Sequence, residues 1–231
     1  MTAITARRMG SIRGQNRYGF VFTLVLALAL FEITAPAADW SRAVAVLLAA
    51  AALGVAVATS RAPNRVRHAR VRLIGAVAAV LIAGIATGAF GRPLTFAVVT
   101  VLVASIPVAL GGGLLRLNKE AGVTLQVVAG ALAMYLLIGL LFASVIEFVA
   151  AVQTGHFFKQ GNVTTGEQVY YSFTVMTTTG FGDYTAATPI GHALAVLEML
   201  TGQLYLVTVI GVIVGNFVGR GRPTAPPAEP S

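Results

Sequence analysis

An all-α, membrane-embedded fold is predicted for this chain, and three observations predict it. Of its 231 residues 57% are hydrophobic and only 10% are charged, whereas soluble domains carry roughly 25% charged residues. Six apolar stretches approach the roughly 20 residues that a bilayer-crossing helix needs. The basic residues fall between these stretches, almost all on one side. The net charge of +8 therefore reads as loop charge rather than as a nucleic-acid-binding face. With no Cys in the chain, disulfides and thiolate chemistry are excluded.

The expected spans, in order, are Tyr18 to Ala35, Arg42 to Thr59, Leu73 to Ala89, Leu94 to Leu110, Val123 to Val152 and Ile190 to Val218. The first follows a tail with Arg7, Arg8, Arg13 and Arg17. Those arginines, the apolar run and Ala35-Pro36-Ala37-Ala38 also fit a cleavable signal peptide. The run is long for a signal core, and a retained cytoplasmic tail suits the remaining topology. Arg61, Arg65, Arg67, Arg70 and Arg72 follow the second span. Pro63 and the irregular spacing place this cluster in a positive-inside loop, with anionic-lipid contact as the alternative reading. Gly91-Arg92-Pro93 joins the third and fourth spans as a tight hairpin. Gly75/Ala79 and Gly84/Gly88 read as helix-packing faces. Pro107 and Gly111-Gly112-Gly113 end the fourth span, and Leu114 to Glu120 reads as a surface linker.

Arg116, Lys119, Arg220 and Arg222 lie on the same side as the first two basic groups. Only Arg42, Arg92 and Lys159 lie opposite. Both termini are expected to be cytoplasmic in a plasma membrane, and Gln153 to Pro189 to enter from outside. Domain limits follow: a tail over 1–17, a four-helix scaffold over 18–122, a C-terminal unit over 123–220 and a Pro-rich tail over 221–231. No Walker loop, metal-ligand cluster or catalytic triad is visible, so neither enzyme activity nor a cofactor is expected. His68, His156 and His192 are scattered. The third and fourth spans hold no Arg or Lys, which argues against a voltage-sensor helix.

Residues Thr177 to Tyr184 read TTTGFGDY, between the last two apolar spans. This string resembles the selectivity filter T-V-G-Y-G-D of the bacterial potassium-channel pore family, which has one pore loop per chain. The resemblance covers roughly Val123 to Arg220. It implies an outer helix, a turret (His156 to Thr165), a re-entrant pore helix (Gly166 to Met176), a filter and an inner helix, assembled as a homotetramer. It implies potassium ligands from the carbonyls of Thr178, Thr179, Gly180 and Phe181, with the Thr178 hydroxyl at the inner end and Gly182 at the mouth. Rings of such oxygens replace the water shell of a dehydrated cation. Alternate glycines allow dihedrals that a Cβ opposes.

Two positions depart from the family pattern. Thr179 stands where Val is usual and Phe181 where Tyr is usual, which leaves the strictness of potassium selectivity open. Asp183 resembles the acidic residue of the outer mouth, where a carboxylate concentrates cations. Thr174 occupies the place of its usual pore-helix carboxylate partner. Tyr170, Tyr171 and Phe173 resemble an aromatic cuff around the filter. On the inner helix Gly202 resembles the hinge glycine. Gly211, Gly215 and Gly219 suit close helix approach at the cytoplasmic end. Gln203, Leu206, Ile210 and Val214 are expected to line the cavity. Glu198, one turn above Gly202, is expected to support the back of the filter. The function implied is passive potassium conduction. The alternatives are a weakly selective cation channel and, in a different class, a secondary transporter subunit, although only one re-entrant segment is visible.

Overall fold

A computed structural model describes residues 17–59, 64–87, 94, 96–108, 124–211, 213 and 215. Among these the ordered elements are helices: α1 (Arg17–Thr34), α2 (Asp39–Thr59), α3 (Asn64–Thr87), α4 (Phe96–Val108), α5 (Leu125–Val152), α6 (Thr165–Met176) and α7 (Pro189–Tyr205). A π-helical turn, Leu206–Ile210, continues α7. The tails, the Gly91–Pro93 hairpin, the surface linker, Gly88, Val214 and Gly219 lie outside the described residues.

Among the described residues, four helical stretches are long and apolar enough to cross a membrane: Asp39–Val57, His68–Thr87, Leu125–Val152 and Pro189–Ile210. Tyr18–Thr34 and Phe96–Val108 are shorter apolar helices. The protein is therefore an all-helical membrane protein. Backbone groups in lipid must be satisfied within the segment, which is why the spanning elements are helices.

The Arg cluster corrects the sequence reading. It was expected in a loop, yet α3 begins at Asn64, so Arg65, Arg67, Arg70 and Arg72 lie in its first turns. Nothing from Asn64 to Thr87 breaks a helix except isolated glycines, and arginine is a good helix former. Arg70 and Arg72 are exposed. Arg61 lies outside the described residues. Gly75 and Ala79 are a second correction: both are exposed, and a Cβ on Gly75 would meet nothing within 4 Å. They form no packing face among the described residues, whereas Gly84 is buried.

α5 is the central post. Its buried positions are largely small, including Gly130, Ala131, Ala133, Gly139 and Ala143, and small residues let helix backbones approach. α1 packs against α5 and α2, and α2 against α3. Val21, Val25 and Leu28 of α1, Ala52 and Ala56 of α2, Ile106 of α4 and Leu137 and Leu140 of α5 make one continuous core. The Thr100 hydroxyl of α4 donates to the Ser144 carbonyl of α5 at 3.1 Å.

A different cluster holds α6. Ile146 of α5, Phe157 and Phe158 of the preceding loop, Tyr171 and Val175 of α6 and Ala186 pack together. The loop is pinned to the segment after α6 by the Lys159 amide on the Thr185 carbonyl (2.9 Å) and the Ala187 amide on the Phe157 carbonyl (2.8 Å). The base of α5 meets the end of α7 through Val127, Ala131 and Ile213.

Candidate functional site

The site is the segment between α6 and α7, and it begins at the start of α6. Thr164 caps that helix in a capping box. The Thr164 amide donates to Glu167 Oε2 at 2.6 Å, and the Glu167 amide to Thr164 Oγ1 at 3.3 Å. The backbone bond from Thr164, and then the bond from the Tyr184 hydroxyl, hold the Glu167 carboxyl below its ordinary range. The Tyr184 hydroxyl donates to Glu167 Oε1 at 2.7 Å, which raises the Tyr184 phenol. One carboxylate thus ties the end of the TTTGFGDY segment to the start of α6.

At the other end of α6 the helix closes tightly. The Thr178 amide donates to the Val175 carbonyl at 2.8 Å. The Thr179 and Gly180 amides both donate to the Thr174 carbonyl, at 2.9 and 3.1 Å. The chain turns there and runs back along α6. The Tyr170 and Phe181 rings stack with centroids 6.4 Å apart and planes 5° apart. Tyr170 also meets Tyr184 edge-on at 6.0 Å. A hydrogen bond to Asp183 raises the Tyr170 phenol. Gln160 Nε2 donates to the Asp183 carbonyl at 2.6 Å. The Thr179 hydroxyl lies 2.9 Å from that of Thr177.

Between these two anchors the backbone alternates. Thr178, Gly180 and Gly182 have φ of +59°, +51° and +81°. Thr178 is the only non-glycine with positive φ among the described residues. Left-handed residues at every second position let consecutive carbonyls face one side. Residues 177–183 are exposed, Phe181 by 69%.

The supporting residues separate into two groups. Tyr170 touches the segment. Tyr171 does not: it is buried edge-on against Phe158 at 5.0 Å, on the far side of α6. Phe173 faces α5, close to Gly139. Helical spacing explains the split, since adjacent positions diverge by about 100°. Thr174 acts through its carbonyl, while its hydroxyl bonds back to the Tyr171 carbonyl at 2.8 Å. Glu198 is fully buried behind α6. The Ser172 hydroxyl donates to Glu198 Oε1 and lies 2.8 Å from the Gly139 carbonyl. Ser172 and the Tyr184–Glu167 tie were missed in the sequence. A polar residue on the buried face of an amphipathic helix was the available signal for Ser172.

On α7, Thr188 caps the helix and Pro189 opens it. Gly202 is buried, and a Cβ there would lie 2.6 Å from both Met176 Cγ and the Met176 carbonyl. This glycine permits close contact between α7 and the end of α6. The helical irregularity falls four residues later, in the π turn. Gln203 Nε2 approaches the Thr178 hydroxyl at 3.4 Å. Ile210 packs toward the Val127, Ala131 and Ile213 cluster, while Leu206 is half-buried. Ile210 is therefore not on the open face expected from uninterrupted helical spacing, because a π turn adds a residue. The open face carries Leu204 (62% exposed), Val207 (72%), Gly211 and Gly215. A Cβ at Gly211 or Gly215 would meet nothing within 4 Å.

A helix, a tied-back extended segment and an uncovered apolar helix thus stand side by side, and the comparisons relate this region to ion channels. The family model described as "Ion channel" matches residues 127–218. This part of the chain is therefore similar to the pore region of ion channels. A protein described as a voltage-gated potassium channel from Aeropyrum pernix is 34% identical over 67 residues, covering 27% of this chain. The match spans 23% of that relative's length. No solved structure matches.

Proposed function

We propose that the chain is one subunit of a homotetrameric channel that conducts potassium passively across the plasma membrane, with both termini cytoplasmic. The observation that carries this reading is the alternation of positive φ at Thr178, Gly180 and Gly182, in a segment tied at both ends to α6. In this reading α6 is a re-entrant pore helix and α1 to α5 with α7 are six spans. The carbonyls of Thr178, Thr179, Gly180 and Phe181 form the ion ligands, with Gly182 and Asp183 at the outer mouth. One chain supplies one such strand, and a ring of oxygens needs about four. The uncovered apolar face of α7 supports assembly, since Leu204 and Val207 have no partner surface within the chain among the described residues. The C-terminal end of α6 points its negative dipole end toward the ion path. Passive conduction needs no catalytic residue and no cofactor.

A weakly selective cation channel is the second reading. It is favoured by the Thr179 hydroxyl, which bonds Thr177 rather than filling an apolar niche behind the filter. Purified protein in vesicles decides between them. Potassium efflux that greatly exceeds sodium efflux, and that disappears in Gly180→Ala, supports the potassium channel. Equal fluxes support the second reading. No flux of either ion, or flux coupled at a fixed ratio to another solute, rejects both.

A further inference from the structure

Glu32 of α1 and Glu147 of α5 have no part in the pore reading, yet the fold brings them together. Both line one crevice of about 80 Å3 between α1, α2, α4, α5 and the start of α6. Phe31, Val46, Phe96 and Val99 make its walls largely apolar. The two carboxylates are close enough for the charge of Glu147 to act on Glu32. Glu147 is only 7% exposed, and its Oε1 has no hydrogen-bond partner. An unpartnered acceptor so deeply buried is costly, and it marks a place where something binds.

A second cavity, of about 380 Å3, also includes Glu147, Arg42, Thr164 and Thr165, and continues to the loop residues Gly155, His156 and Gly161. That loop carries Gln160, which holds Asp183. The route therefore leads to the side of the filter mouth.

The surrounding charges do not neutralise the pair. Arg42 of α2 acts on Glu147 but is itself paired with Asp39 at 3.2 Å. From α6, Thr165 lines the same cavity as Glu147, and Glu167 is turned away toward Thr164 and Tyr184. The loop brings His156. The linings from α3 (Ile85) and α4 (Phe96, Val99, Leu102) bring no titratable group. Three carboxylates thus face one guanidinium. Two like charges in one apolar cavity do not both ionise cheaply, and a shared proton relieves them.

We propose that Glu32 and Glu147 form a proton-binding site, reached from the filter-mouth side, whose occupancy sets how α1 bears on α6. The coupling is a backbone contact. A Cβ on Gly166 would lie 2.8 Å from the Ile33 carbonyl and 2.9 Å from the Glu32 carbonyl, so the end of α1 rests directly on the start of α6. Loss of the proton leaves two negative charges between α1 and α5 and pushes α1 away. The packed arrangement binds the proton more tightly than a loosened one, so rising pH favours the loosened one. The consequence for conduction rests on the channel reading: potassium flux falls as pH on the mouth side rises.

Trp40 is the single tryptophan of the chain. Its ring meets Phe31 edge-on at 6.4 Å, one residue from Glu32. Trp40 fluorescence is therefore measured against pH in potassium-loaded vesicles, with flux recorded in the same samples. A single-proton transition in emission is expected for wild type. It is lost in Glu147→Gln and in Glu32→Gln and kept in Asp39→Asn and His156→Gln. Flux falls across the same transition in wild type and stays high and flat in Glu147→Gln. A wild type without the transition, or a transition that survives both glutamine variants, overturns the proposal. So does a midpoint that moves with sodium or calcium at fixed ionic strength, which would assign the site to a metal cation. An emission transition without any potassium flux overturns the channel reading and leaves the proton site standing. Flux whose pH profile is the same in wild type and Glu147→Gln overturns the coupling.

Discussion

The two halves of this molecule are both apolar helices, but they hold themselves together differently. In α1 to α4 the packing is broad and weakly directional: Val21, Val25, Ala52 and Ile106 share one aliphatic core with Leu137 and Leu140 of α5. Around α6 and the segment after it, directional hydrogen bonds make the main contacts. Glu167 ties Tyr184, the Thr174 carbonyl takes two amides, and Ser172 bridges Gly139 and Glu198. The difference teaches where precision is needed. Hydrogen bonds are directional, and inside a membrane-embedded protein they are not diluted by water. A backbone held at φ of +51° and +81° needs such restraint. Aliphatic packing fixes which helices are neighbours and tolerates small shifts. α4 carries no Arg or Lys, whereas α3 takes Arg65, Arg67, Arg70 and Arg72 into its first turns.

Substitutions in the two regions should therefore differ in kind. The largest effect is expected at Gly180. Alanine there meets nothing within 4 Å, so no clash arises. The left-handed φ costs about 1–2 kcal/mol and falls on the segment itself. Flux should be lost while the protein stays folded, as measured by vesicle efflux and size-exclusion profile. Wild-type flux in Gly180→Ala would remove the filter assignment. Next comes Gly202→Ala. Its Cβ would press on Met176 at 2.6 Å, and overpacking of this type costs about 1–3 kcal/mol. A lower thermal-unfolding midpoint and altered flux are expected. An unchanged midpoint would mean that α7 gives way easily, and that close contact is not what this glycine supplies.

A smaller effect is expected from the Glu167 tie. Folding holds this carboxyl below its ordinary range. Its contribution is therefore present above the ordinary carboxylate pKa and is lost as pH falls through the lowered one. Glu167→Gln should remove that acid-side loss and weaken the cap, an effect on the order of 1 kcal/mol at neutral pH. Thermal unfolding of both proteins between pH 3 and 7, a range that spans the ordinary Glu value of about 4.3, checks it. Identical acid profiles would show that another carboxyl dominates. The smallest effect is expected in the scaffold. Gly75→Ala, on an open face of α3, should be neutral or stabilising by up to about 1 kcal/mol. Marked destabilisation there would mean that a partner covers this face.

The basic cluster shows how far local reading reaches. Pro63 and uneven arginines suggested a loop, but nothing between Asn64 and Thr87 opposes a helix, and α3 takes them in. Tyr170 and Tyr171 look alike in sequence and face different ways, one on Phe181 and the other on Phe158. Ile210 satisfied the cavity spacing until a π turn rotated it toward α5.

Composition alone determined that this is a helical membrane protein, because hydrocarbon admits few other structures. The string TTTGFGDY pointed to the ion-channel likeness of its second half, because its glycines and threonines suit one unusual backbone. Tertiary structure alone decided which side chains meet. Glu198 finds Ser172, Tyr184 finds Glu167, and Glu32 finds Glu147 across more than a hundred residues of chain. Such pairs depend on how helices rotate and cross, and those angles come from packing small residues such as Gly139, Gly166 and Gly202 against one another's neighbours. No periodicity within a single segment carries that information.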